Sequence, residues 1–169
     1  MHRRESFGAT LAGVLVAVRR LAEEEHGRLR IVFPVHPNPN VAEPAREILG
    51  GVAGVELVPP LDYPDFLDLC AGARFLLSDS GGVQEEAPTL RVPVLILRER
   101  TERPEVVDSG WGKLVGTEPD LILAEARRLL DDDARAAMTR GPQPFGDGHS
   151  GEAIARALWE QRPLGRSTR

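Results

Sequence analysis

A short run of small and acidic residues, Ser78-Asp79-Ser80-Gly81-Gly82-Val83-Gln84-Glu85-Glu86, follows the apolar Arg74-Phe75-Leu76-Leu77 and leads into a stretch of helical composition that stops near Pro88. A strand, a tight turn and a helix in that order aim backbone N–H groups from the helix N-terminus, where the helix dipole favours an anion. Gly81 and Gly82 keep Cβ atoms out of the way of a close-approaching phosphate. Ser80 can cap the helix or donate its hydroxyl to the same anion. Glu86, about a turn and a half along, supplies an acceptor for the two hydroxyls of a ribose. Those residue types at that spacing are the make-up of a nucleotide diphosphate cradle.

Elements must hold this turn in place, and hydrophobic periodicity locates them. Helices are expected over 9–25, 40–49, 62–71, from Ser80 onward, 104–109, 118–131 and 151–161. Strands are expected over 29–35, 55–58, 74–77, 92–97 and 113–115, with a Gly- and Pro-rich loop over 141–148. Alternation of strand and helix with short loops means a parallel sheet covered on both faces, a Rossmann-like α/β domain. In such sheets ligands bind at the carboxyl ends of the strands. The polar clusters fall there: His36 to Asn40 after one strand, Pro59 to Phe66 after the next, Ser78 to Glu86, then Arg98 to Glu105.

Composition narrows the class further. A chain of 169 residues builds one well-buried domain. A net charge of −5 lacks the basic face a general nucleic-acid binder needs. No apolar run approaches the roughly 18 residues required to span a bilayer, and His2-Arg3-Arg4-Glu5 adjoins no apolar segment of the kind a secretory signal has. The single cysteine, Cys70, excludes an internal disulfide and fits a reducing cytoplasm; its setting, Phe66-Leu67-Asp68-Leu69-Cys70-Ala71, makes it a core residue. No His, Cys or acidic spacing suits a metal, and no Ser/His/Asp order suggests a hydrolase triad. Asn38 and Asn40 are read as turn and cap residues, Glu85 as a solvated first-turn carboxylate, and Glu102 and Glu105 as helix-terminal charges and ion-pair partners. Tyr63, Trp111 and Trp159 are read as packing, and His26 and His149 as loop residues.

Taken together, several ordered motifs resemble the C-terminal half of the non-hydrolysing UDP-N-acetylglucosamine 2-epimerase family. They are His2-Arg3-Arg4-Glu5-Ser6-Phe7-Gly8, Pro34-Val35-His36-Pro37-Asn38-Pro39-Asn40-Val41, Pro60-Leu61-Asp62-Tyr63-Pro64-Asp65-Phe66, Ser78 to Pro88, Thr101-Glu102-Arg103-Pro104-Glu105 and Pro144-Phe145-Gly146-Asp147-Gly148. The Ser-Gly-Gly turn alone would also suit other glycosyltransferases of the GT-B type; the ordered set is more specific. The resemblance implies one Rossmann-like half of a two-domain GT-B-type fold, with UDP in the cleft. It assigns Ser80, Gly81 and Gly82 to the diphosphate, Glu86 to the ribose, Phe66 with Pro60 to the uracil, and Arg103 to the diphosphate. His2, as the matching site histidine, is its catalytic candidate. Arg3 and His36, with His2, fall where family members hold the sugar or a second, activating UDP-sugar. No cofactor or metal is implied.

The family chemistry is inversion at C2 of the sugar, by elimination of UDP and its re-addition to give UDP-N-acetylmannosamine, a step toward cell-envelope polysaccharides. The carboxylates that move the C2 proton belong in the family to an N-terminal domain, and a strand precedes the His-Arg-Arg-Glu motif. The expectation is therefore a UDP-binding domain over residues 1–161 followed by a disordered tail over 162–169, inactive alone and lacking that first strand. Its expected partners are UDP, UDP-N-acetylhexosamine, a separate N-terminal domain chain and a second copy in a homodimer, but neither nucleic acid nor a membrane. Two other readings stay open: a stand-alone UDP-sugar-binding or regulatory module, and a glycosyltransferase remnant, which the Thr-Glu-Arg-Pro-Glu and His-Arg-Arg-Glu motifs disfavour.

Overall fold

Apolar residues recurring every three or four positions build the first helix, α1 (Ala9–Glu24), which buries Leu11, Val14, Leu15, Ala17, Leu21 and Ala22. The computed structural model describes residues 7–160, and in it the expected alternation is present. Strand β1 (Ile31–Pro34) is followed by α2 (Pro39–Leu49), β2 (Val55–Val58), α3 (Tyr63–Ala71), β3 (Leu76–Ser78) and α4 (Gly81–Leu90). Then come β4 (Val94–Ile96), α5 (Pro104–Asp108), β5 (Gly112–Leu114), α6 (Pro119–Arg128), α7 (Asp132–Met138) and α8 (Ser150–Glu160).

All strand pairs are parallel, in two hydrogen-bonded sets: β1 with β2, and β3 with β4 and β5. Among the described residues β1 is hydrogen-bonded to β2, and β3 to β4, with no pairing between the two sets. Strand β4 lies in the middle of its set and is wholly buried. Because successive side chains of a strand point to opposite faces, β4 feeds two cores. Leu95 packs with α1 and α6 through Val14, Leu21, Ile122 and Ala126. Val94 and Ile96 pack with α4 and α5 through Val83, Ala87 and Val106, and with Trp111 just before β5. A third cluster seats α1 and α2 on β1 and β2.

Three local expectations change. The helix expected over 118–131 is α6, which ends at Arg128, and a further helix not among those expected, α7, follows it, capped by Asp131, whose carboxylate accepts from Ala134 N at 2.8 Å. Asp131, Asp132 and Asp133 crowd acids at that new N-terminus, which the helix dipole favours. Helix α4 runs past Pro88 to Leu90: proline deletes one backbone donor but does not by itself end a turn whose other face is packed. Trp159, expected as packing, is 72% exposed on α8, whose described side chains are all outside the cores; Trp111 is buried as expected. The tail over 162–169 lies outside the described residues.

Candidate functional site: a cleft at the strand carboxyl ends

Parallel strands put their carboxyl ends on one side, so the loops that follow β1, β2 and β3 converge. They enclose a cleft of about 360 Å³ lined by Pro34, Val35, His36, Pro37, Pro60, Leu61, Tyr63, Phe66, Ser78, Asp79, Ser80, Gly82, Val83 and Glu86. A second depression, lined by Arg19, Glu23, His26 and Gly50 to Ala53, lies where the chain enters β1 and β2, at the opposite ends of the strands.

One wall of the cleft is the start of α4. Ser80 is its N-cap residue, but its hydroxyl accepts no capping bond, so the capping role expected of that side chain is not the one it performs. Ser80 N donates instead to Ser78 Oγ at 3.1 Å. The first N–H groups of a helix have no partner within the helix. A Cβ added at Gly81 would meet nothing within 4 Å, and at Gly82 only Ser80 Oγ at 3.8 Å. Neither glycine has a positive φ. Backbone conformation and packing therefore make no demand for glycine at either position; a Cβ at Gly81 would stand in open space, and Gly82 lines the cleft.

The other walls carry the apolar and acidic groups. Asp62 caps α3 by accepting from Asp65 N at 3.0 Å, and this fixes the turn bearing Pro60, Leu61 and Tyr63. Phe66, half-buried one turn on, packs against the cluster that contains Val83 and Ala87 of α4. After β1, His36 Nδ1 accepts from Asn38 N at 3.2 Å, and Asn38 caps α2 through Asn40 N at 3.0 Å. Asn38 is thus a cap as expected, and Asn40 the donor that satisfies it.

Electrostatics centres on Glu86. Its carboxylate raises the pKa of the Tyr63 phenol, by hydrogen bonding first and by its charge second. Burial pushes the Cys70 thiol up to about 11, and the Glu86 charge adds to it; the thiol is buried, as expected of a core residue. Asp79 is a buried carboxylate of the cleft, 1% exposed.

The structure thus brings Pro60, Phe66, Ser80, Gly82, Glu86 and His36 to one cleft, with Gly81 in the adjoining turn. Arg103 does not line it. Arg103 stands at the N-cap of α5, where its Nε donates to Glu85. Glu85, expected to be a solvated carboxylate, is therefore the ion-pair partner of Arg103, a correction that only the approach of the 98–103 loop to α4 produces. Glu102 pairs with Arg98 through two 2.7 Å bonds, as expected of an ion-pair residue. His2 and Arg3 lie outside the described residues. Sequence reasoning missed Tyr63 and Asp79 as cleft residues; Tyr63 is 61% exposed, not packed. The signal available for Tyr63 was its place beside an Asp cap at the carboxyl end of a strand.

Among the described residues no group of three or more His, Cys, Asp or Glu could hold a metal ion, and no helix is long and apolar enough to cross a membrane.

Comparison with known proteins gives consistent results. Residues 1–159 match the family model described as UDP-N-acetylglucosamine 2-epimerase. A UDP-N-acetylglucosamine 2-epimerase of Yersinia pestis is 47% identical over 158 residues, covering 93% of this chain and 42% of that one. The structure of MnaA from S. aureus with UDP superimposes with a TM-score of 0.87 at 42% identity, over 93% of this chain and 43% of that one. The Neisseria meningitidis UDP-GlcNAc 2-epimerase bound to UDP-GlcNAc gives a TM-score of 0.87 at 37% identity, over 95% and 43%. The chain spans less than half the length of these relatives.

Proposed function

The chain belongs to the UDP-N-acetylglucosamine 2-epimerase family, and on that basis we propose that its cleft binds UDP and supplies the nucleotide-holding part of a UDP-GlcNAc 2-epimerase. The observation that carries this reading is the start of α4: two glycines that neither backbone nor packing requires, facing open space where helix N–H groups point. A diphosphate fits there by charge and by clearance. Ser80, Gly81 and Gly82 hold it, Glu86 accepts from the ribose hydroxyls, and Phe66 with Pro60 flanks the base. Arg103, one ion pair away, supplies positive charge to the diphosphate. His36 faces the sugar or a second UDP-sugar, and the family match assigns His2 and Arg3 to the same task.

The chemistry follows from what the site offers. Elimination of UDP from the sugar builds negative charge on the departing diphosphate, and oriented N–H donors with a guanidinium stabilise that charge. Proton removal and return at C2 require positioned acid–base groups. The reading places the carboxylates among these outside this chain, in the remaining length of the relatives, with His2 as the one candidate here. The isolated chain then binds UDP without epimerising UDP-GlcNAc, and it works with a polypeptide carrying the remaining length and with a second copy of itself. The single cysteine supports a cytoplasmic setting.

Calorimetric titration of the chain with UDP and with uridine tests the binding. UDP is expected to bind and uridine to bind more weakly by the loss of the diphosphate contacts; equal affinities, or no heat from either, would overturn the reading. A coupled assay for UDP-ManNAc is expected to stay silent with this chain alone, and turnover would place the C2 proton transfer here.

A further inference from the structure

Gln84 is a buried polar side chain to which the nucleotide reading gives no task. It sits in the first turns of α4, fully buried at 0% exposure. A buried amide is costly unless its donor and acceptor are both satisfied. Its Nε2 donates to the carbonyl of Ser80 at 3.1 Å, and its Oε1 accepts from the Thr101 hydroxyl. Thr101 Oγ1 in turn accepts from Arg103 N at 3.0 Å.

Every direction in this relay is forced. A carbonyl only accepts, so the amide nitrogen must face Ser80 and the amide oxygen must face Thr101. That oxygen also only accepts, so the threonine hydroxyl donates to it and keeps its lone pairs for the Arg103 N–H. The relay therefore runs from the N-cap of α4 to the backbone of Arg103, while the guanidinium of Arg103 returns to Glu85 on the same helix. An apolar residue of equal size would fill the space as well, but it would tie neither end.

We infer that Gln84 and Thr101 are positioning residues: they hold the loop that carries Arg103 at a set distance from the α4 N-terminus, so that the guanidinium and the helix N–H groups act on one diphosphate. This rests on the nucleotide-binding reading above. Neither side chain needs to touch the nucleotide, and their effect reaches only the diphosphate, through Arg103.

The test uses near-isosteric variants, Thr101→Val and Gln84→Met, with Thr101→Ser as the conservative variant that keeps the hydroxyl, each titrated with UDP and with uridine. Thr101→Val and Gln84→Met are expected to weaken UDP binding about tenfold, the size of one net hydrogen bond, while uridine affinity stays unchanged and Thr101→Ser stays near the wild type. In an Arg103→Ala background, which itself weakens UDP, neither change is expected to cost anything further, because residues acting as a unit are non-additive. Equal weakening of UDP and uridine, or an undiminished loss without Arg103, would reduce the pair to general support of the cleft and overturn the inference. Wild-type binding of UDP that Arg103→Ala weakens and Thr101→Val leaves alone would overturn it without touching the nucleotide reading. A wild type that does not prefer UDP to uridine would remove the nucleotide reading, and the relay's purpose with it.

Discussion

The Nε of Arg103 donates to the carboxylate of Glu85, joining the loop after β4 to the flank of α4 beside the cleft. Both side chains are partly exposed, 37% and 43%, so the pair contributes little to stability. Its weight lies in the charge it neutralises. A guanidinium shared with a carboxylate is less available to a diphosphate, and on the proposed nucleotide-binding reading the two anions compete for it.

Glu85→Gln is therefore expected to tighten UDP binding by up to about fivefold, the scale of an exposed ion pair. Uridine, without a diphosphate, should be indifferent to the change, and stability should shift by less than about 1 kcal/mol. Titration with both ligands and a denaturant melt measure this. Weaker UDP binding in the variant would mean that Glu85 holds Arg103 in its working position and does not compete for it.

Gly81→Ala separates fold from function. A methyl group there meets no protein atom, and alanine favours helix over glycine by up to about 1 kcal/mol. Stability should be unchanged or slightly raised, while UDP binding falls because the methyl occupies the space in front of the N–H groups. A denaturant melt combined with UDP titration reads both quantities. An alanine variant that binds UDP normally would mean the nucleotide does not approach this turn.

Glu86→Ala is expected to weaken UDP binding by about 1–3 kcal/mol, the worth of hydrogen bonds to a charged group. The loss should shrink with 2′-deoxy-UDP, which offers the carboxylate one hydroxyl fewer. Indistinguishable affinity of variant and wild type for UDP would reject the ribose role.

Tyr63 reports on the same carboxylate. It is the only tyrosine of the chain, so its absorbance titration is uncontaminated by other phenols. Glu86 raises its pKa above the ordinary 10.0, because the neutral phenol donates to the carboxylate and the phenolate would face a like charge. A raised value in the folded state means that the contact is present below pH 10.0 and is lost as pH climbs through the folded pKa. The midpoint should therefore lie above 10.0 in the wild type and move back toward it in Glu86→Gln. Equal midpoints would show that the two side chains do not interact.

Much of this protein is legible in its amino-acid sequence, because much of it is local. Leu11, Val14, Leu15 and Leu21 mark α1 by spacing alone, and the segment Ser78 to Glu86 is a strand, a turn and a helix contiguous in the chain. Parallel alternation then places every strand's carboxyl end on one side, which is why His36, Pro60, Phe66 and Ser80 can be assigned to one site from sequence. The acidic cap at Asp131 that starts α7 is equally local, because the residues that begin that helix are contiguous with it, although the helices expected from sequence include none between residue 131 and the loop over 141–148.

Packing settles what lies between distant segments. Glu85 and Glu86 are neighbours in sequence, but a helix turns about 100° per residue, so they address different surroundings. Glu86 meets Tyr63 in the cleft, and Glu85 meets Arg103 from a loop 18 residues away. Gln84 finds Thr101 across 17 residues, and burial turns an ordinary surface amide into a tether. Periodicity determines which face of a helix is apolar. Which side chain waits opposite each polar position depends on how loops are brought together by packing, and only the folded chain makes that choice.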